Sequence, residues 1–336
     1  MSDMPPVPWG RILVAAPSEA ALIGMLPLAE RLVAEGRARL TFLLTLPALP
    51  DLERVASLAQ RPAGELDARR REEHRSRVRA HLDGLTAPDD VALEVRTGEL
   101  FLETIRLVEA QGFDLVVKPA ERRSRPGLER IADAFRASTD QHLLRKCPAP
   151  VWLVEGDLRQ PPARVLAAID VDLEAASEPD TLVALNARIR EQLLGFVALG
   201  AEEIVLLHAW EAPGEGLLRR WMPADEVDGA LAAYLGDIER GRRRALEQFG
   251  EALRVEIAAR ECRCVVRLRL QRGSARMVVP EVVRRDRPDL LLLGTVGRSG
   301  VRGLLIGNTA EDVLNAVEGS LFAVKPPGFV CPLELS

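Results

Sequence analysis

Phe113-Asp114-Leu115-Val116-Val117-Lys118 and Pro288-Asp289-Leu290-Leu291-Leu292-Leu293 read as two versions of one strand. Each is a short apolar run without polar alternation, the pattern of a strand covered on both faces. Working outward, the surroundings match as well. A third strand precedes each run, Val91–Val95 in one half and Cys264–Leu268 in the other, and Gly98 or Gly273 leads from it into a helical stretch. Earlier come first strands at Arg11–Ala16 and Arg164–Asp170, helical stretches at Glu19–Glu35 and Pro179–Leu199, and second strands at Leu40–Leu44 and Ile204–Leu207. The segments Gly64–Leu85 and Asp225–Arg260 carry charge on more than one face and read as solvated helices. Fifth strands close each series at Pro150–Val154 and Leu321–Val324.

Five strands alternating with helices, twice over, imply parallel sheets with right-handed crossovers and helices on both faces. The fold class is therefore α/β: two tandem five-stranded parallel-sheet domains, each doubly wound. Gln160-Pro161-Pro162 marks the seam, which puts the domains at 9–156 and 163–328. The length of 336 residues suits two domains of ordinary size. Pairing of the two fifth strands inside one chain would hide both sheet edges, a general need of open sheets. Such an internal pseudo-dimer is compatible with a monomer or a homodimer.

Composition narrows the function. A formal net charge of −5 argues against a dedicated nucleic-acid binder, since phosphate contacts need a basic surface. Aromatic residues are only 4% of the chain, so the cores must be built mainly from Leu, Val, Ile and Ala. Met1-Ser2-Asp3-Met4-Pro5-Pro6 has no basic region followed by an apolar run, and no stretch approaches a membrane span. The expectation is a cytoplasmic protein without a membrane partner. Cys262 and Cys264 alternate along an apparent strand, so their thiols should point the same way. Zinc sites need C-x2-4-C with two further ligands, and Cys147 and Cys331 do not supply such a pair, so all four read as small core-filling thiols and no metal ligand is assigned.

In an open parallel sheet the ligand crevice lies beyond the carboxyl ends of the strands, where strand order reverses. In the second half that place holds Gly294-Thr295-Val296-Gly297-Arg298, and further on Gly307-Asn308-Thr309 before a helical stretch from Ala310. Free N–H groups at such a helix start, with the positive dipole end, suit an anion, and Arg298 and Arg302 add charge. No Gly-Lys-Ser/Thr occurs, so this is no P-loop, and the dinucleotide G-x-G-x-x-G is absent too.

The spacing G-x2-G-x9-G-[S/T/N] after a fourth parallel strand, met by Gly294, Gly297 and Gly307 with Asn308 and Thr309, resembles the nucleotide loop of the universal stress protein family. The tandem, E-type members carry blocks similar to 139–152 and to Gly294–Arg298 with Gly307–Glu311, so the resemblance covers nearly the whole chain. It implies strand order 3-2-1-4-5 in each half and ATP or ADP as ligand. It also implies Asp170 near the adenosine, the backbone at His208 and Ala209 flanking the adenine, and phosphates against Gly297, Gly307, Asn308 and Thr309. Thr295 and Arg298 complete the candidate loop. Asn308 stands where many nucleotide-binding members have serine.

The halves are not equivalent. Strand one of the first half ends in Ala16-Pro17, without an acid, and strand four runs into Lys118-Pro119-Ala120-Glu121-Arg122-Arg123, without a glycine pair. Pro119 removes an N–H donor, so the first site reads as degenerate for nucleotide. No catalytic residue is assigned: no H-E-x-x-H or G-x-S-x-G occurs, His74 and His81 read as exposed on a charged helix, His142 reads as structural, and His208 ends the second strand at the crevice mouth. Asp170, Asp172 and Glu174 cluster after strand one, where they can hold Mg²⁺ through phosphate oxygens or cap the next helix. Three readings stand: a non-catalytic stress-response module binding ATP or a related phosphate-bearing ligand, a scaffold holding something else, and a slow Mg²⁺-dependent ATPase.

Overall fold

The computed structural model describes residues 7–36, 38–85, 90–121, 138–156, 159–174, 176, 178–295, 310, 312, 313, 316, 317 and 319–333. The first half contains β1 (Arg11–Ala16), α1 (Glu19–Gly24), α2 (Leu26–Gly36), β2 (Arg39–Leu46), α3 (Leu52–Ala59), α4 (Ala63–Leu82), β3 (Val91–Thr97), α5 (Leu100–Gln111), β4 (Leu115–Pro119), α6 (Thr139–Lys146) and β5 (Val151–Val154). The second contains β6 (Arg164–Ala168), α7 (Pro179–Ala198), β7 (Glu203–Trp210), α8 (Glu215–Trp221), α9 (Val227–Ala259), β8 (Val265–Arg272), α10 (Ala275–Asp286), β9 (Leu290–Gly294) and β10 (Ser320–Val324).

Within each half the strands are parallel in the order 3-2-1-4-5, and the two series join into one ten-stranded sheet, β3-β2-β1-β4-β5-β10-β9-β6-β7-β8. The join is antiparallel, with Trp152 opposite Phe322 and Val151 opposite Ala323. Two open edges are thereby consumed inside one chain.

The duplication is visible bond by bond. Asp114 and Asp289, just before the fourth strands, accept from the N–H of Arg11 and Arg164, each at 2.8 Å. Gly98 and Gly273, after the third strands, have φ of +147° and +133°, a region that favours glycine. Their N–H groups donate to Leu46 and Trp210, the last residues of the second strands. At the ends of the fourth strands, Ala120 donates to Val154 at 2.8 Å and Thr295 to Val324 at 2.9 Å.

The seam is packed on both faces. On one face lie Trp9, Trp152, Phe196 and Phe322, all buried, with Phe196 edge-on to Trp152 and Phe322 at 5.1 Å between ring centroids. A Cβ at position 195 would lie 2.8 Å from the Trp9 ring, so Gly195 on α7 is what lets the indole in. Trp9 Nε1 donates to Gln192 Oε1 at 2.6 Å, which satisfies the indole N–H inside the core. The opposite face carries Val151, Leu153, Leu321 and Ala323, buried in one cluster with Leu143 and Val317. Four of the thirteen aromatic side chains of the chain thus cluster where the halves meet.

Local departures from the sequence reading have local causes. The expected helix at Glu19–Glu35 is two helices meeting at Met25: Gly24 is a poor helix former and Pro27 has no N–H to donate. The N-cap of α6 is Ser138, whose hydroxyl accepts from Gln141 N. Among the described residues no helix is long and apolar enough to cross a membrane.

Candidate functional site

Strand order reverses between β1 and β4 in the first half and between β6 and β9 in the second. The carboxyl ends of those strands are where the two halves part company. In the second half, Ala168 at the end of β6 pairs with Leu207 of β7 on one side and Leu293 of β9 on the other. The chain continues through Ile169 to Asp170, so this acid emerges between the ends of β7 and β9. Its main-chain carbonyl accepts from Asn186 Nδ2 of α7 at 2.7 Å, and its Oδ1 accepts from Asp172 N at 3.0 Å. The carboxylate keeps 32% exposure, and the turn around it is tied down.

His208 lies inside β7 and is buried. Its Nδ1 faces the Ile169 carbonyl at 3.1 Å and stands 3.9 Å from Asp170 Oδ1. The imidazole thus braces the Asp170 turn, while the neighbouring Ala209 is half-buried. Gly294 is a packing glycine: a Cβ there would come within 2.6 Å of Leu185 on α7. Thr295 is fully buried, and both its N–H and its hydroxyl donate to the Val324 carbonyl, the latter at 3.3 Å. Its polar groups hold the turn after β9. The structure therefore gathers Asp170, His208, Ala209, Gly294 and Thr295 at one end of the sheet. The other candidates, Gly297, Arg298, Gly307, Asn308 and Thr309, lie outside the described residues.

The acids after β6 are engaged by an arginine that no local pattern singles out. Arg242 of α9 contacts Asp172 at 2.7 Å and Glu174 at 3.6 Å, and Asp172 is buried. Capping by these acids is not observed, since α7 begins at Pro179 with no side-chain cap. No group of three or more His, Cys, Asp or Glu among the described residues is placed to hold a metal.

In the first half the corresponding space is occupied by the chain itself. Lys118, fully buried in β4, has its Nζ 2.7 Å from Asp140 Oδ1 and 3.4 Å from Glu121, and it donates to the Pro119 carbonyl at 2.9 Å. Asp140 sits in the first turn of α6, and its Oδ2 accepts from Glu121 N at 2.8 Å. A carboxylate of the protein thus links the helix start to the loop after strand four, at a position that the positive helix end favours. Aligned without a gap from Thr139 and Thr309, Val151 falls on Leu321, Asp140 on Ala310 and Ser138 on Asn308. Likewise Lys118 falls on Leu293 and Pro119 on Gly294. The second half has neither member of the ion pair. The signal for it was present in the sequence only as a lysine ending an apolar run.

The comparisons with known proteins agree with this architecture. The model of the universal stress protein family matches residues 8–155 and again 164–325. Universal stress protein E of Escherichia coli strain K12 is 28% identical over 236 residues, 70% of this chain and 68% of the relative. The universal stress protein E homolog of Haemophilus influenzae is 28% identical over 312 residues, 91% and 93% of the two chains. Among solved structures, a putative universal stress protein from Pseudomonas aeruginosa superposes with a TM-score of 0.55 at 21% identity, covering 95% of this chain and 94% of that one. A universal stress protein from Archaeoglobus fulgidus does so with a TM-score of 0.53 at 13% identity, covering 94% and 96%. With two matched copies, a repeated strand order and an end-to-end sequence relative, the chain belongs to the universal stress protein family as a tandem member.

Proposed function

We propose that this protein is a non-catalytic stress-response module whose second half binds ATP, ADP or a related phosphate-bearing ligand, while its first half serves as a closed counterpart. The observation that carries the reading is the contrast at the starts of the last helices. In the first half Asp140 already supplies an anion there, held by Lys118. In the second, Ala310 and Leu293 stand at those positions, so the second half has no carboxylate at the matching place. A ligand phosphate is the natural occupant of such a place. In this reading Gly297, Arg298, Gly307, Asn308 and Thr309 face the phosphates, and Asp170 faces the adenosine beside the backbone of His208 and Ala209.

The residues present fit a nucleotide better than a nucleotide with Mg²⁺ held by the acids after β6. Arg242 would have to release Asp172 and Glu174 before either met a cation. Hydrolysis is not part of the proposal. Thermal unfolding with and without millimolar ATP tests binding: a rise in the midpoint with ATP that is lost in Gly307→Val supports it. No rise in the parent protein rejects it and leaves the scaffold reading.

A further inference from the structure

The opposite, amino-terminal end of the strands carries a second feature, independent of the crevice. The turn after α9 leads through Cys262-Arg263-Cys264 into β8, an edge strand of the sheet. Exposure alternates along this stretch: Cys262 and Cys264 are half-buried, Arg263 and Val265 exposed, Val266 buried. The two thiols therefore share one face, and both pack against the core cluster beneath them. They also line one open pocket of about 580 Å³, together with Glu202, Arg254, Ile257 and Arg263. Their own hydrogen bonds are long, 3.5 Å to the Arg260 carbonyl and 4.0 Å to that of Val265.

We propose that Cys262 and Cys264 form a two-coordinate dithiolate site for a soft monovalent ion, copper(I) being the chemical type. Three arguments select it. Thiolate is the ligand that soft ions prefer. In an extended chain, residues i and i+2 lie about 6.6–6.8 Å apart, near the upper limit of about 6.8 Å for a disulfide. An interposed ion with metal–sulfur bonds of about 2.3 Å spans that gap with less bending of the chain. Zinc, which takes four ligands, lacks two of them here, because no third His, Cys, Asp or Glu joins the pair among the described residues. Binding releases one proton from each thiol to solvent and leaves a complex of net charge −1. Arg254 and Arg263 line the same pocket against the single carboxylate of Glu202, which gives that charge a favourable surrounding.

The test is anaerobic titration of the reduced full-length protein with copper(I) against a chromogenic chelator, with thiol alkylation mapped by mass spectrometry. The expected result is one tightly held ion per chain, with both Cys262 and Cys264 protected from alkylation only when copper is present. Cys262→Ser and Cys264→Ser should each weaken binding by at least about 100-fold, since either removes half of the donors. Alkylation of both thiols regardless of copper would overturn the proposal without relying on any variant. So would retention of the tight ion in Cys262→Ser/Cys264→Ser.

Discussion

The ends of β4 and β9 are the same place in two copies of one fold, and they have been put to opposite uses. Both turns are fixed by the same bond, Ala120 to Val154 in one copy and Thr295 to Val324 in the other. Beyond that bond, the first copy places Lys118 and Asp140 against each other and closes itself. The second replaces them with Leu293 and Ala310 and puts Gly294 where Pro119 stood. The proposed reading of this difference is that a carboxylate drawn into the place of an anion closes the first copy, while the strand order and the hydrogen bonds at the strand ends stay the same in both.

The contrast breaks most visibly at the ion pair. Asp140→Asn leaves the buried Lys118 ammonium with only the more exposed Glu121 carboxylate, 3.4 Å away, and should cost about 3 kcal/mol, read by urea denaturation. The charge-free Lys118→Met/Asp140→Leu should recover most of that loss, because a buried pair adds little net stability over apolar packing. A cost below about 1 kcal/mol for Asp140→Asn would show that the pair does not close the first copy.

A second lysine sharpens the comparison. Lys325, directly after β10, is buried like Lys118, yet it donates to the Leu144 carbonyl and lies 4.8 Å from the centre of the Phe329 ring. Burial lowers its pKa from 10.5 to about 7, slightly offset by Cys147. Between those values the unfolded chain holds a proton that the folded chain has released. The penalty of folding is therefore full below pH 7 and is relieved as pH rises. Relative to Lys325→Met, the parent protein should gain up to about 2 kcal/mol between pH 7 and 8.5, at most about 1.4 kcal/mol per pH unit. Parallel pH profiles of the two proteins would refute this assignment.

Smaller effects probe the turns themselves. Gly294→Val drives a side chain into Leu185 and should destabilise by about 1–3 kcal/mol, whereas Pro119→Ala at the matching place should change stability by less than about 1 kcal/mol. Ser138→Ala removes the cap of α6 and should cost about 1 kcal/mol. All three are read from chemical denaturation midpoints.

Much of the fold was legible because a doubly covered strand leaves an apolar run, and the same order of strands and helices recurs in both halves. Gly98 and Gly273 marked the turns because only glycine settles easily at their positive φ. Pairing of the fifth strands followed from the need to hide edges. What escaped the sequence were partners far apart along the chain: Lys118 with Asp140, Arg242 with Asp172, and Trp9 with Gln192. Each pairing is created by helices and strands packing together, and nothing local announces it. Gly294 has a packing role that no sequence pattern announced, since a Cβ there would meet Leu185. Of the candidate site, Asp170 and the strand ends beside it were placed together by topology alone.

The most direct test of the contrast is the stoichiometry of nucleotide binding by equilibrium dialysis, in the parent protein and in Ala310→Asp, which gives the second copy the carboxylate of the first. One ATP per chain in the parent and none in Ala310→Asp, with both proteins folded by circular dichroism, is the expected result. Two per chain, none in either, or undiminished binding by Ala310→Asp would contradict it.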